Sequence, residues 1–167
     1  ALPHIPQWRG TPLARTRIRD LVEGGRLDIY DPAPIGSLYG RPDMVGYLSK
    51  LKLTPSVGRA SYSLDAAIFL APLITSLAGE RADKYVHRRL LKPLGITKVR
   101  WRRDKADTPD TATGLWLRAA DYLKIGELLL NDGTWNGKAI LPPGWVQSAT
   151  TPETGRQRDL PPGVPDG

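Results

Sequence analysis

Two adjacent polar side chains, Tyr62 and Ser63, stand just before an apolar run that begins near Ala66. A serine hydroxyl becomes an effective nucleophile only beside a base and beside hydrogen-bond donors for the developing oxyanion. A free phenol has a pKa of about 10, so Tyr62 could carry a proton at neutral pH only beside cationic groups or as a relay. A tyrosine next to a helix start more often packs against other apolar groups. The residues alone therefore leave packing and proton transfer both open.

No pattern in the chain is typical of a metal or cofactor site. Asp104, Asp107 and Asp110 recur every three residues, but their loop lacks the glycine and terminal glutamate of a calcium-binding loop. We therefore interpret these carboxylates as solvated. His4 and His87 have no partner at metal-ligand spacing, and the chain has no cysteine. We expect no metal and no cofactor.

The composition is that of a folded domain with long loops. The 167 residues correspond to about one domain, and no apolar run approaches the roughly 20 residues that cross a membrane. The net charge of +7 could attract nucleic acid, with the densest cluster at Lys98–Lys105 around Trp101. Charge runs are more often solvated surfaces, so nucleic-acid binding is the less favoured hypothesis. Compartment and oligomeric state stay open.

Hydrophobic periodicity predicts a mainly helical chain with few short strands. Residues 1–16 show no period and are expected to form an extended arm, whereas residues 26–32 alternate like a strand. Pro72 should kink or divide the helix in which it lies. The predicted helices cover 17–23, 43–51, 66–77, 81–91 and 119–131, with a short one after Pro142. The side chains expected on the buried side of the 119–131 helix are Tyr122, Leu123, Ile125, Gly126, Leu129 and Leu130.

Four segments, taken in chain order, carry a family resemblance. They are Gly25-Arg26-Leu27-Asp28 with Asp31-Pro32, Tyr62-Ser63-Leu64, Lys92-Pro93-Leu94-Gly95-Ile96-Thr97, and the long stretch Gly114–Pro152. Their order resembles that of the serine β-lactamase-like hydrolases, the superfamily of penicillin-binding proteins, class C β-lactamases and related esterases and amide hydrolases. Each segment alone is weakly specific, and the shared order makes chance a poor explanation.

The resemblance implies an α+β fold in which residues 1–167 would form a single incomplete domain, mostly its helical half. It also implies a serine hydrolase that cleaves a small ester or amide through an acyl-enzyme. Tyr62 matches the catalytic tyrosine of the family, and Ser63 would support it or cap the following helix. Trp101 and Trp116 could line the substrate cleft, although packing is the commoner role of such rings.

The chain departs from the family pattern in three ways. Leu64 replaces the asparagine that usually follows the Tyr-Ser pair. The Lys-Thr-Gly or His-x-Gly motif of the core strand does not occur. The family nucleophile lies in a Ser-x-x-Lys motif on a helix before the Gly25 turn, and we expect this chain to lack it. The 167 residues alone are therefore expected to be inactive.

Two alternatives from other functional classes stay open. The first is a non-catalytic relative whose helical scaffold binds a ligand or a partner. The second is a basic module that binds nucleic acid through Lys98–Lys105. A Ser-x-x-Lys motif in the full gene would favour the hydrolase over the scaffold, and a steep loss of binding with salt would favour the basic module.

Overall fold

The structure, a computed structural model, describes residues 8–10, 14, 18, 27–29, 37–51, 53–55 and 67–151. The helices are α1 (Met44–Leu48), α2 (Leu70–Ala78), α3 (Ala82–Val86), α4 (Ala119–Leu130) and α5 (Trp145–Thr150), with a 3-10 turn at Ser37–Gly40 and a π-helical turn, His87–Leu91, that continues α3. The strands are β1 (Leu27–Ile29), β2 (Leu53–Pro55), β3 (Arg100–Trp101), β4 (Leu115–Trp116), β5 (Thr134–Trp135) and β6 (Lys138–Ala139). The helix expected over 17–23 lies, apart from Ile18, outside these residues.

The strands pair as three separate antiparallel ribbons, β1 with β2, β3 with β4 and β5 with β6. Leu27 lies opposite Pro55, and Arg100 lies opposite Trp116. Asn136 and Gly137, both at positive φ, close the β5–β6 hairpin as a tight two-residue turn. The expectation of few short strands is confirmed, and β1 falls within the alternating segment 26–32.

Helix α1 begins at a side-chain cap. The Asp43 carboxylate accepts a hydrogen bond of 2.8 Å from the amide of Gly46, which satisfies a donor that the first helical turn leaves open. A Cβ on Gly46 would lie 2.0 Å from Asp43 Oδ2. Position 46 therefore tolerates only glycine while the cap is in place.

Pro72 divides the helix that the sequence predicts over 66–77. Residues 67–68 are helical, Phe69 forms a turn, and α2 starts at Leu70. Pro72 thus occupies the first turn of α2, where its missing N–H has no intrahelical partner to lose. The helix ends at Gly79, whose φ of 67° is a left-handed C-cap. The predicted division and the predicted end are both confirmed.

The core of the described residues consists of two apolar clusters. The first cluster contains Trp8, Leu38, Met44, Val45, Leu48, Ile68, Phe69 and Leu73. The second contains Leu91, Leu94, Ile96 and Leu128. Trp8 is fully buried, with its ring edge-on to Phe69 at a centroid distance of 5.2 Å. The interpretation of residues 1–16 as an extended arm is therefore wrong at Trp8, because burying an indole outweighs the lack of any periodicity around it.

The buried side of α4 differs from the sequence expectation. Tyr122, Leu123 and Leu130 are 69%, 72% and 89% exposed, whereas Leu128 and Asp121 are buried. Asp121 forms ion pairs with Arg118 at 2.7 Å and with Lys124 at 3.0 Å. The predicted orientation is wrong at the three exposed positions because α4 turns its ion-paired carboxylate, together with Leu128, towards the rest of the protein.

Asp83 links α3 to the loop that follows β3. It accepts a hydrogen bond of 2.7 Å from Arg81 Nε and a second hydrogen bond from Arg103. Burial favours the neutral carboxyl and by itself raises the pKa of Asp83, but the hydrogen bonds from Arg81 and Arg103 together lower it below its ordinary value. The ionised form of Asp83 therefore contributes to stability.

None of the helices in the described part of the chain is long and apolar enough to cross a membrane.

Mutations at Gly46 and Asp43 test the α1 cap. In an otherwise unchanged protein, Gly46→Ala should leave stability unchanged or reduce it, because the new methyl group displaces the Asp43 carboxylate. In an Asp43→Ala background, which itself costs about 1 kcal/mol, Gly46→Ala should instead stabilise by about 0.5–1 kcal/mol. Gly126→Ala, where a Cβ meets nothing within 4 Å, is the control that stabilises in either background. Urea unfolding measures all of these changes, and additive effects of the Asp43 and Gly46 substitutions would contradict the cap.

The pKa of Asp83 predicts acid sensitivity. Since the folded-state pKa is lowered, the unfolded state binds more protons as the pH falls below the unfolded value of about 3.9, and the contribution of Asp83 is lost there. Asp83→Asn should therefore reduce the free energy of unfolding at pH 7 and should differ less from the parent protein at pH 3. Urea titrations at both pH values measure this convergence, and an equal difference at both would contradict it.

Candidate active-site region

The β3–β4 hairpin carries both tryptophans that the sequence assigned to a substrate cleft. Trp101 is half-buried, and its indole N–H donates a hydrogen bond of 2.7 Å to the carbonyl oxygen of Asp110. Trp116 is 53% exposed, with the Arg100 guanidinium 4.6 Å from its ring centroid. Trp101 therefore holds the loop between the strands, and Trp116 presents an aromatic surface to solvent.

Asp110 organises the loop between these strands. Its side chain is fully buried and accepts hydrogen bonds from Arg102 Nε at 3.0 Å, from the amide of Ala112 at 2.9 Å, and from both the amide and the hydroxyl of Thr113. A Cβ on Gly114 would lie 2.6 Å from the Cβ of Asp110, so the chain can close over the carboxylate only with glycine there. The interpretation of Asp110 as solvated is wrong, because the loop folds around this charge.

The other two aspartates of the triplet lie in different surroundings. Asp104 is half-buried and accepts hydrogen bonds from the amides of Met44 at 2.9 Å and Thr108 at 2.8 Å, so it is not simply solvated either. Asp107 is exposed, as expected, and pairs with Arg81. Asp104 thus joins this loop to the start of α1.

A hydroxyl joins the same loop to the chain near the predicted catalytic tyrosine. Thr111 Oγ1 donates a hydrogen bond of 2.6 Å to the carbonyl oxygen of Ala67. Tyr62 and Ser63 lie outside the described residues, a few positions before Ala67. The structure thus brings the Trp101–Trp116 hairpin to the helical segment that follows the Tyr-Ser pair. No sequence pattern pointed to Thr111.

The arginines of the Lys98–Lys105 cluster have partners within the protein. Arg102 pairs with Asp110, Arg103 pairs with Asp83, and Arg100 stacks on Trp116. Within residues 67–151 and the shorter described segments, no group of three potential metal ligands occurs, and His87 is half-buried in the π-helical turn.

The expectation that the chain lacks the Ser-x-x-Lys spacing is wrong, because Ser49-Lys50-Leu51-Lys52 has it. A scan of the serines by spacing finds this match. Ser49 is the C-cap of α1, and its hydroxyl donates a hydrogen bond of 2.6 Å to the carbonyl oxygen of Val45. Since α1 ends at Leu48, no continuous helix carries both Ser49 and Lys52. Ser49 lines an open cavity of about 400 Å³ together with Asp43, Lys50, Pro72 and Thr108.

The buried Asp110 yields a stability test. Asp110→Asn replaces an acceptor of four donors with a group that is itself partly a donor, so it leaves Arg102 without its counter-ion. The loss should be about 3 kcal/mol, within the range for removing one partner of a buried ion pair. Asp107→Asn, at an exposed carboxylate of the same loop, is the matched control and should cost less than about 1 kcal/mol. Chemical denaturation followed by tryptophan fluorescence measures both, and equal losses would contradict the hub role of Asp110.

Comparison with solved structures identifies the fold. A Bacillus anthracis protein provisionally assigned as a 6-aminohexanoate-dimer hydrolase superposes with a TM-score of 0.74 at 24% identity, over 87% of this chain and 44% of its own. A Bacteroides dorei DSM 17855 protein provisionally assigned as a β-lactamase superposes with a TM-score of 0.70 at 23% identity, over 87% of this chain and 46% of its own. The chain therefore has the α+β fold of these proteins and spans less than half their length.

Comparison at the level of sequence identifies the family. A search of curated proteins gives no match. The family model described as Beta-lactamase matches residues 18–167, which is most of the chain. The matched range contains the Tyr62-Ser63 pair, the Lys92–Thr97 segment and the Gly114–Pro152 stretch. The chain belongs to the Beta-lactamase family.

Proposed function

We propose that this chain is part of a serine hydrolase that cleaves a small ester or amide through an acyl-enzyme. The single observation that carries the proposal is the Beta-lactamase family match over residues 18–167, within which Tyr62 holds the position of the catalytic tyrosine. One structural neighbour is named as a hydrolase of the 6-aminohexanoate dimer, which supports a small-molecule substrate.

The proposed reaction has two steps. A serine oxygen attacks the carbonyl carbon of the substrate, its proton passes to the base, and the leaving group departs with a proton as the acyl-enzyme forms. Water then attacks the acyl-enzyme, and the serine recovers its proton. Tyr62 transfers the proton in both steps, with a lysine near it to favour its phenolate form. Ser63 supports Tyr62 or caps the helix that follows.

Ser49 is not the proposed nucleophile, in spite of its spacing to Lys52. Its hydroxyl is hydrogen-bonded to the carbonyl of Val45, and α1 ends before Lys52, so a lysine one helical turn along is missing. Ser49 also follows the Gly25 turn in the chain, whereas the family nucleophile precedes that turn. The proposed nucleophile lies outside the sequence printed here, and these 167 residues are inactive alone.

Trp116 is the better of the two cleft candidates. Its exposed ring, backed by Arg100, offers a flat apolar surface against which a substrate can pack. The indole N–H of Trp101 is already bound to Asp110, so Trp101 acts through the position of the loop.

Acylation kinetics test the proposal. With p-nitrophenyl acetate, the 167-residue chain should give no burst of p-nitrophenol, whereas a longer form that includes a Ser-x-x-Lys motif before Gly25 should give one. In that longer form, Tyr62→Phe should slow acylation at least about 100-fold, the usual contribution of a positioned acid or base. Tyr85→Phe, at a half-buried tyrosine of α3, should leave the burst unchanged.

Two outcomes would overturn the proposal. A burst from the 167-residue chain that Ser49→Ala abolishes would make Ser49 the nucleophile. A burst in the longer form that Tyr62→Phe does not slow would remove Tyr62 from the reaction.

A non-catalytic scaffold is the second candidate, and Leu64 favours it. The family uses an amide side chain at this position to orient the substrate, and leucine offers no hydrogen bond. A longer form that contains the Ser-x-x-Lys motif but gives no burst with any ester or amide would support this second candidate.

A further inference from the structure

The outer face of α4 is apolar and exposed. Successive residues of a helix are about 100° apart, so Ala119, Tyr122, Leu123, Gly126 and Leu130 all lie within a sector of about 100°. All five are exposed, and the opposite side of the helix already packs on the second cluster through Leu128. A helix that is apolar on both sides is typical of one covered on both sides.

The middle of this outer face is open to close approach. A Cβ on Gly126 would meet nothing within 4 Å, so the α4 backbone is accessible there to another helix. Tyr122 and Leu130 lie four residues before and four residues after Gly126. In an antiparallel pair of identical helices related by a two-fold axis at Gly126, Tyr122 would therefore meet Leu130 of the partner subunit.

Charges at the ends of α4 favour the same arrangement. Arg118 at the start of the helix has a side chain that is 55% exposed, and Asp132, just past the end, is exposed. On a helical projection both lie along the same edge of the apolar sector, eight residues before and six residues after Gly126. The two-fold arrangement brings each Arg118 beside Asp132 of the partner subunit, and the antiparallel helix dipoles attract.

We propose that the outer face of α4 docks against the same face of a second copy of this chain as an antiparallel helix pair. The 12 residues of α4 span about 18 Å, which is far less surface than the roughly 800 Å² per partner of a stable interface. Glu127 lies on the other edge near the axis and would face its own copy, which opposes association. The dimer is therefore weak and depends on concentration.

Sedimentation equilibrium from about 10 µM to about 1 mM tests the dimer. The average mass should rise from 18.4 kDa towards twice that value. Leu130→Glu should weaken association at least about 10-fold, because it places a charge in the apolar contact. Leu77→Glu is the matched control, at a leucine of α2 that is 58% exposed, and should leave association unchanged.

A second pair of measurements tests the geometry. Asp132→Asn should weaken the dimer about 2-fold to 10-fold, since each two-fold pair loses an exposed ion pair on both sides, and asparagine tolerates the φ of 47° at this position. Hydroxyl-radical labelling of Tyr122 should fall as concentration rises.

Three results would overturn the proposal. They are a constant mass of one chain up to 1 mM, a dimer that Leu130→Glu leaves intact, and protection of Tyr122 at concentrations where the mass is that of one chain. The last result would mean that another segment of the same chain covers α4.

Discussion

The buried carboxylate of Asp110 fixes the loop on which the candidate site depends. A charge without solvent is costly unless donors surround it, and Arg102 together with the amides and hydroxyl of Ala112 and Thr113 supplies them. The backbone carbonyl of the same residue receives the Trp101 indole. One residue thereby determines both where the chain turns and where an aromatic ring packs. Trp116 and the Thr111 contact to Ala67 inherit their positions from this arrangement.

Local signals predicted much of the fold. Pro72 and Gly79 mark the start region and the end of α2 because each restricts the backbone at its own position, without reference to distant residues. The 81–91 and 119–131 helices were likewise confirmed. The buried side of α4 was not predictable from hydrophobicity, because Asp121 is drawn inward by two cations and displaces Tyr122 and Leu123 to the surface. Trp8 was missed because its burial depends on Phe69, a residue distant in sequence.

The candidate site was less accessible from sequence than the fold. The order of several weak motifs predicted the family, because a shared order over most of the chain constrains many positions at once. The Ser49 match shows the converse: a spacing of three carries chemistry only when both residues lie on one helix, and the end of α1 at Leu48 separates Ser49 from Lys52. Asp110 and Thr111 gave no periodic signal, since their roles are contacts across a loop.

The π-helical turn at His87–Leu91 has a consequence for how this chain tolerates changes in length. Its hydrogen bonds run from Lys92 back to His87 and from Ile96 back to Leu91, one residue longer than an α-helical bond. Removing one residue here would permit an ordinary helix but would rotate everything that follows by about 100°. Leu94 and Ile96 would then point away from Leu128, and the second cluster would come apart. The extra residue sets the angular phase of the carboxyl-terminal half relative to the amino-terminal half, so homologous chains that lose it must compensate within the next turn.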